Sequence, residues 1–225
     1  MSDPGEREAE EARRAFVRRT TRLRRPEALP ELALHLVDEV TPLWEMTEVE
    51  LAQEGVPPPF WAVAWAGGAG LARYLLESPA VVRGRTVLDV ATGSGVVALA
   101  AARCGAARVT AADVDPFCGA AVALNSEANG LAVSFVARDL LAADPPGVDV
   151  LTAGDVCYDR AMTARFLPWL RTAAANGTLV LLGDPGRAFL PKDGLRPLAS
   201  YDVETSVDVE STPVRRTTVY ALDPP

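Results

Sequence analysis

Asp89, Gly93 and Gly95 lie in the stretch Val87-Leu88-Asp89-Val90-Ala91-Thr92-Gly93-Ser94-Gly95. Two glycines directly after an apolar run, with a helical stretch behind them, let the backbone turn sharply and bring helix N–H groups close to a ligand. The spacing Gly93-x-Gly95-x-x-Ala98 also fits a nicotinamide fingerprint, so the glycines alone do not choose the ligand. Asp89 chooses. A nicotinamide-binding strand runs apolar into its glycines, whereas here a carboxylate stands near the strand's end, four residues before Gly93. A charge placed there needs a hydrogen-bonding partner, which an ammonium-bearing ligand supplies. Asp113 ends the next strand, 18 residues past Gly95, about the distance at which an acid meets ribose hydroxyls. Asp115, followed by Pro116, is better explained as a helix cap. Asp139 ends a further strand on the same edge.

A second group of candidates is Gly154-Asp155-Val156-Cys157-Tyr158-Asp159. It follows the fourth parallel strand, at the carboxyl edge where open α/β sheets bind ligands. An aromatic hydroxyl and carboxylates at that place can hold a primary amine. Asp155 and Tyr158 are therefore the expected chemistry-bearing pair. Cys157 has no evident base beside it and is not expected to act as a nucleophile. His35 is the single histidine of the chain, which removes histidine-based triads and histidine-rich metal sites together. It is expected to be a satisfied core residue, and no metal is expected.

The elements that position these residues read as follows. Thr86 to Val90, Arg108 to Ala112, Val133 to Val136, Val148 to Ala153 and Thr178 to Leu182 are strands, separated by Gly loops and Ala-rich helical stretches. Such alternation means βαβ units and a buried parallel sheet. Tyr201 to Val207 and Arg216 to Leu222 follow each other without a helix, as an antiparallel hairpin. Residues 1–55 read as helical throughout, with Leu32, Leu36, Val40 and Leu43 at helical spacing, and Pro57, Pro58 and Pro59 form a stiff boundary behind them. The organisation expected is a helical extension over 1–55 and a main domain over 56–225.

Composition bounds the rest. The 225 residues are 49% hydrophobic, with mean hydropathy +0.11, so the chain can bury a core. No apolar run approaches the roughly 18 residues of a spanning helix, and the N-terminus is charged, so neither membrane nor export is expected. Three cysteines without CxxC spacing fit a reducing, cytoplasmic location. The net charge of −8 speaks against nucleic acid phosphates and suits a cationic ligand or substrate. Between Arg13 and Arg25 there are seven arginines and no acid, read as a solvated helix face.

Together the loop and the three acids resemble the seven-stranded S-adenosylmethionine-dependent methyltransferases, over nearly all of residues 57–222. The resemblance implies a Rossmann-like, mostly parallel sheet with an antiparallel terminal strand. It makes Asp89 the acid of the first motif, Asp113 the ribose acid and Asp139 the adenine-side acid. Ala91 stands where that family usually has its first glycine.

A narrower resemblance rests on three separated motifs and the N-terminal segment Phe16 to Leu23. The motifs are Pro57-Pro58-Pro59-Phe60-Trp61-Ala62-Val63-Ala64-Trp65-Ala66-Gly67-Gly68, the stretch Gly154 to Asp159, and Gly183-Asp184-Pro185-Gly186-Arg187. They look like the electron-transfer flavoprotein β-subunit lysine methyltransferases and their bacterial relatives. The resemblance implies methyl transfer from S-adenosyl-L-methionine to a protein lysine, with the flavoprotein β-subunit as partner. Trp65, ahead of two glycines, is expected against the cofactor's methionine portion, while Trp61 is expected in the core. The alternatives carried are a ribosomal protein or small-molecule amine as acceptor, or a cofactor-binding module without turnover.

Overall fold

The computed structural model describes residues 4–37 and 57–224, with 43 and 53 as isolated positions. The chain opens with α1 (Pro4–Thr20), then β1 (Arg22–Arg24) and β2 (Leu34–Leu36), which pair as an antiparallel ribbon. The helix expected throughout residues 1–55 therefore stops at Thr20. Pro26 and Pro30 forbid its continuation by removing N–H donors and crowding the preceding turn. The spacing of Leu32 and Leu36 misleads because a separation of four fits a strand's alternation as well as a helical face. Leu32, Leu34 and Leu36 are all buried, and His35 between them is half-buried. The rest of that expectation, including Val40, lies almost entirely outside the described residues.

After a short turn at Phe60–Ala62 come α2 (Ala66–Glu77), β3 (Thr86–Val90), α3 (Val96–Arg103), β4 (Arg108–Asp113), α4 (Pro116–Asn129) and β5 (Ser134–Ala137). Then follow β6 (Val150–Gly154), α5 (Arg160–Ala175), β7 (Leu179–Asp184), β8 (Leu195–Glu204), the one-turn α6 (Val207–Glu210) and β9 (Val214–Leu222). Punctuation accounts for the helix ends. Asp115 caps α4 by accepting from Phe117 N at 2.8 Å, Pro116 opens it, and Gly130 closes it at φ 61°. Asp159 caps α5 by accepting from Met162 N at 2.8 Å.

The seven-stranded sheet has the order β5-β4-β3-β6-β7-β9-β8. The pairs from β5 to β7 are parallel, whereas β9 is antiparallel to both β7 and β8. The mostly parallel sheet with one reversed strand is thus as expected, with β9 inserted between β7 and β8. Both faces of β3, β6 and β7 are covered, which is why Val87, Leu88, Val90, Val150 and Leu151 form near-continuous buried apolar runs. Strand order reverses between β3 and β6, so their carboxyl ends diverge into a crevice.

The N-terminal segment packs on α4. Phe16 and Trp61 meet edge-on at 6.3 Å, and Trp61 stacks on Phe117 at 5.9 Å, which puts Trp61 in the core as expected. Arg14 and Arg18 of the arginine-rich stretch reach Glu127 on α4, so part of that face is docked on the chain's own domain. Among the described residues no helix is long and apolar enough to cross a membrane.

Candidate active site

The crevice between β3 and β6 is a narrow cleft lined by Trp65, Asp89, Ala91, Gly93, Gly154 and Asp155, among others. Asp89 is 1% exposed. Thr152 Oγ1 donates to its Oδ1 at 2.8 Å and Thr92 Oγ1 donates to its Oδ2. Burial pushes the carboxyl up to about 6, against the pull of those two hydroxyls. No cationic side chain bonds to it among the described residues. A buried carboxylate bonded by neutral donors favours a cationic group at the cleft wall.

The loop after β3 turns through left-handed backbone at Ala91 (φ 51°), Gly93 (φ 52°) and Gly95 (φ 79°). Gly95 starts α3, and a Cβ there would stand 2.8 Å from Val122 Cγ2, so both conformation and close packing call for glycine. Asp113, at the end of β4, accepts from Gly93 N at 3.1 Å and from Asp115 N at 3.1 Å. Its carboxylate is thereby fixed beside the glycine loop, where a ribose acid belongs. Val114, next to it, is 68% exposed and offers an apolar rim for a planar base. Sequence reasoning passed over it, although an apolar residue wedged between two acids was a visible signal. Asp139 follows β5, caps the turn Leu140–Ala142 by accepting from Leu141 N at 3.0 Å, and pairs with Arg165 of α5 at 2.5 Å. Arg165 holds its carboxyl below the usual range. Asp89, Asp113 and the backbone N–H groups of the loop fit an adenosine ligand that carries an ammonium group, whereas Asp139, engaged by Arg165, is not among the residues that line the cleft.

Asp155 follows β6 and adopts φ 56°. Its Oδ2 accepts from Gly68 N at 3.0 Å, and its Oδ1 accepts from Arg187 Nε at 3.0 Å and Nη2 at 2.6 Å. Gly67 explains itself here. A Cβ on Gly67 would overlap Gly183 O and stand 2.5 Å from Asp155 Oδ2, and one on Gly154 would stand 2.7 Å from Gly68 Cα. Only glycines let the first turn of α2 lie directly on the ends of β6 and β7. The turn Asp184 to Arg187 is held by Asp184 Oδ1, which accepts from Gly186 N at 2.7 Å and Arg187 N at 2.6 Å. That turn aims Arg187 back at Asp155. Arg187 also bonds Glu210 through Nη1 at 2.9 Å and Nη2 at 2.8 Å, and Arg215 Nη2 donates to Glu210 O at 2.7 Å. Glu210 and Arg215 carried no sequence signal, being one charge at the end of the short α6 and one at the start of β9.

Tyr158 is 48% exposed, as is Phe60. Their rings are 6.2 Å apart, and Phe60 lies 5.8 Å from Trp65, whose indole N–H donates to Phe60 O at 3.0 Å. Trp65, Phe60 and Tyr158 thus form an aromatic row beside the cleft. Burial first, then Asp159 and Asp113, push the Tyr158 phenol up, so it is neutral at physiological pH. Cys157 is fully buried and its thiol is pushed up to about 12, chiefly by burial, so it has no nucleophilic role. His35 lies on β2, not on a helix; Thr21 Oγ1 is 3.2 Å from its Nδ1, so it is partnered as expected.

A family model described as ribosomal protein L11 methyltransferase (PrmA) matches residues 73–154. The chain is 35% identical over 217 residues to the electron transfer flavoprotein beta subunit lysine methyltransferase of Xenopus laevis, across 94% of this chain and 87% of that protein. It is 36% identical over 172 residues to the human protein of the same name, across 74% of this chain and 66% of that one. Among solved structures, TrmN from Thermus thermophilus is similar with TM-score 0.50 and 27% identity, covering 67% of this chain and 48% of that one. A putative RNA methyltransferase from Pyrococcus horikoshii is similar with TM-score 0.53 and 18% identity, covering 74% and 86%; at that identity the likeness is one of fold.

Proposed function

The chain belongs to the electron transfer flavoprotein β-subunit lysine methyltransferase family, and from that membership we propose that it methylates lysine in its host's own β-subunit. The observation that carries this reading is the single cleft lined by Asp89, Trp65 and Asp155, with Tyr158 close by. S-adenosyl-L-methionine, when bound, supplies an electrophilic methyl group on a positively charged sulfur. Asp89 and the loop through Gly93 and Gly95 would hold its amino acid portion, and Asp113 its ribose, with Asp139 and Val114 toward the base.

The acceptor must arrive as a neutral amine. A lysine of pKa about 10.4 pays roughly 4 to 5 kcal/mol to be neutral at pH 7. Its nitrogen lone pair then forms the new C–N bond as the S–C bond breaks, sulfur keeps that electron pair, and the surplus proton leaves to water. Tyr158 and Asp155 orient the amine by accepting its N–H groups, so most of the rate enhancement is alignment. The aromatic row gives the aliphatic stem of a lysine an apolar surface to lie on.

The net charge of −8 suits a basic, lysine-bearing protein face better than nucleic acid, and three unpaired, buried cysteines suit the cytoplasm. The match to the ribosomal protein methyltransferase model ends at residue 154. It covers the cofactor loop and stops before Asp155 and Tyr158, so it speaks for the donor and not for the acceptor. Purified enzyme, labelled S-adenosylmethionine and β-subunit should give whole methyl additions on lysine, weakened by high salt. An unmodified β-subunit beside a labelled ribosomal protein rejects the substrate and keeps the reaction class.

A further inference from the structure

Arg187 is poorly placed for substrate and well placed for another purpose. Its guanidinium fork grips Asp155 Oδ1 with two donors and Glu210 with two more, and stands 5.9 Å from the centre of the Trp65 ring. Its side chain is 17% exposed, against 10% for Asp155 and 2% for Glu210. Arg215 closes the row with Nε 3.4 Å from Glu210 Oε2. The alternation Asp155, Arg187, Glu210, Arg215 carries no net charge, and Asp184 faces Arg187 from the turn that holds its backbone N–H.

An unpaired carboxylate at the position of Asp155 would work against the reaction. It would hold the incoming lysine as an ammonium, whereas transfer needs the free amine. We propose that Arg187 is a positioning residue that cancels the charge of Asp155, so that this carboxylate orients the acceptor amine without stabilising its protonated form, while Glu210 and Arg215 keep Arg187 in place. The proposal rests on the lysine reading for its purpose, but its electrostatic core concerns only the cleft. If Arg187 neutralises Asp155, the cleft discriminates weakly between a cationic and a neutral sulfur ligand. Burial already pushes the Asp155 carboxyl up to about 6, and without Arg187 it rises further, so the uncompensated negative charge faces the cleft at alkaline pH, where the comparison is made.

Calorimetry with S-adenosylmethionine, a sulfonium, and S-adenosylhomocysteine, its neutral thioether, tests this without any transfer. In Arg187→Met the preference for the sulfonium ligand over the thioether should rise about five-fold or more, as expected for a unit charge several ångströms away at a partly buried site. Arg187→Lys should restore the wild-type ratio, and so should the double variant Asp155→Asn with Arg187→Met. A merely structural loss would weaken both ligands alike and leave the ratio unmoved, which would overturn the proposal. Should Arg187→Met fail to fold, Asp155→Asn alone decides: the row of Arg187, Glu210 and Arg215 then carries one net positive charge, which should lower the preference for the sulfonium, and an unchanged ratio would overturn the proposal. A wild-type protein that binds neither ligand overturns the cofactor reading and this proposal together. A moved ratio in an enzyme that labels no lysine leaves the charge compensation standing and rejects the acceptor.

Discussion

The side-chain amide of Asn125, buried on α4, donates to the carbonyl of Ser94 at 2.9 Å. Its oxygen accepts from His35 N at 2.7 Å. One residue thus ties the glycine loop to the N-terminal ribbon. Asn125→Ala leaves a buried carbonyl and a strand N–H without partners, at about 1–3 kcal/mol each. We expect a fall in melting temperature of several degrees and a cofactor affinity reduced about ten-fold, measured by thermal unfolding and calorimetry. A variant with unaltered affinity would show that the loop holds its shape without this bond.

Gly67→Ala places a methyl group against Gly183 O and Asp155 Oδ2. The neighbours are backbone and a buried ion pair, which cannot step aside. A loss of about 2–3 kcal/mol is expected, visible as a clear drop in thermal midpoint. Gly147→Ala, where a Cβ would meet nothing within 4 Å, is the control and should change little.

Ala91 is the reverse case, since it holds φ 51° with a Cβ. Left-handed backbone costs a non-glycine residue about 1–2 kcal/mol, offset in part by the greater freedom glycine has when unfolded. Ala91→Gly should therefore be neutral or raise stability by up to about 1 kcal/mol, with cofactor affinity retained. A destabilised variant would mean that the methyl group packs usefully.

Asp89 links binding to pH. Its folded value of about 6 is above the ordinary 3.8, so between those values the folded chain without ligand holds a proton that the unfolded chain has lost. Stability contributed by this group therefore falls as pH rises through that window and stays at its lower level above 6. A bound ammonium favours the carboxylate, so binding should release a proton near pH 6 and affinity should weaken below it. Calorimetry in two buffers of different ionisation enthalpy measures that proton. Thr152→Val removes one of the two hydroxyl donors, and should move the onset of weakening to higher pH.

Tyr158→Phe keeps the ring beside Phe60 and removes only the oxygen offered to the amine. Transfer should fall about 10- to 100-fold with cofactor affinity within about two-fold of wild type, on single-turnover kinetics. Turnover at the wild-type rate would move the acceptor site away from Tyr158.

The parallel sheet was legible in the sequence because each of its strands is a short apolar run with glycine or aspartate punctuation. The β3 loop was legible for a related reason, since a carboxylate ending a buried strand has few structural uses. The helix α2 was not legible. Gly67, Gly68 and Gly70 lower its intrinsic propensity by about 1 kcal/mol each, and what selects Gly67 and Gly70 is contact with Gly183 of β7, Asp155 and Thr217, all distant in sequence. The Asp155 pairing was hidden for the same reason, because Arg187 and Glu210 are brought to it by a turn and a hairpin from the far end of the sheet. Local pattern shows where a carboxylate stands. It does not show what neutralises it.

The order β7-β9-β8 also has a consequence for how the molecule is made. A ribosome delivers β8 before β9, yet β8 can join the sheet only through β9. Until residues 214–222 emerge, the edge of β7 is bare and β8 has no neighbour to pair with, although the strands from β3 to β7 are already available. A nascent chain stalled in this interval presents an open strand edge beside a half-built cleft, the kind of surface that other unfinished chains can extend. Glu210 arrives in the same interval, so Arg187 gains its second carboxylate at about the moment the sheet closes. Completion of the charge row and completion of the sheet are one late event in synthesis.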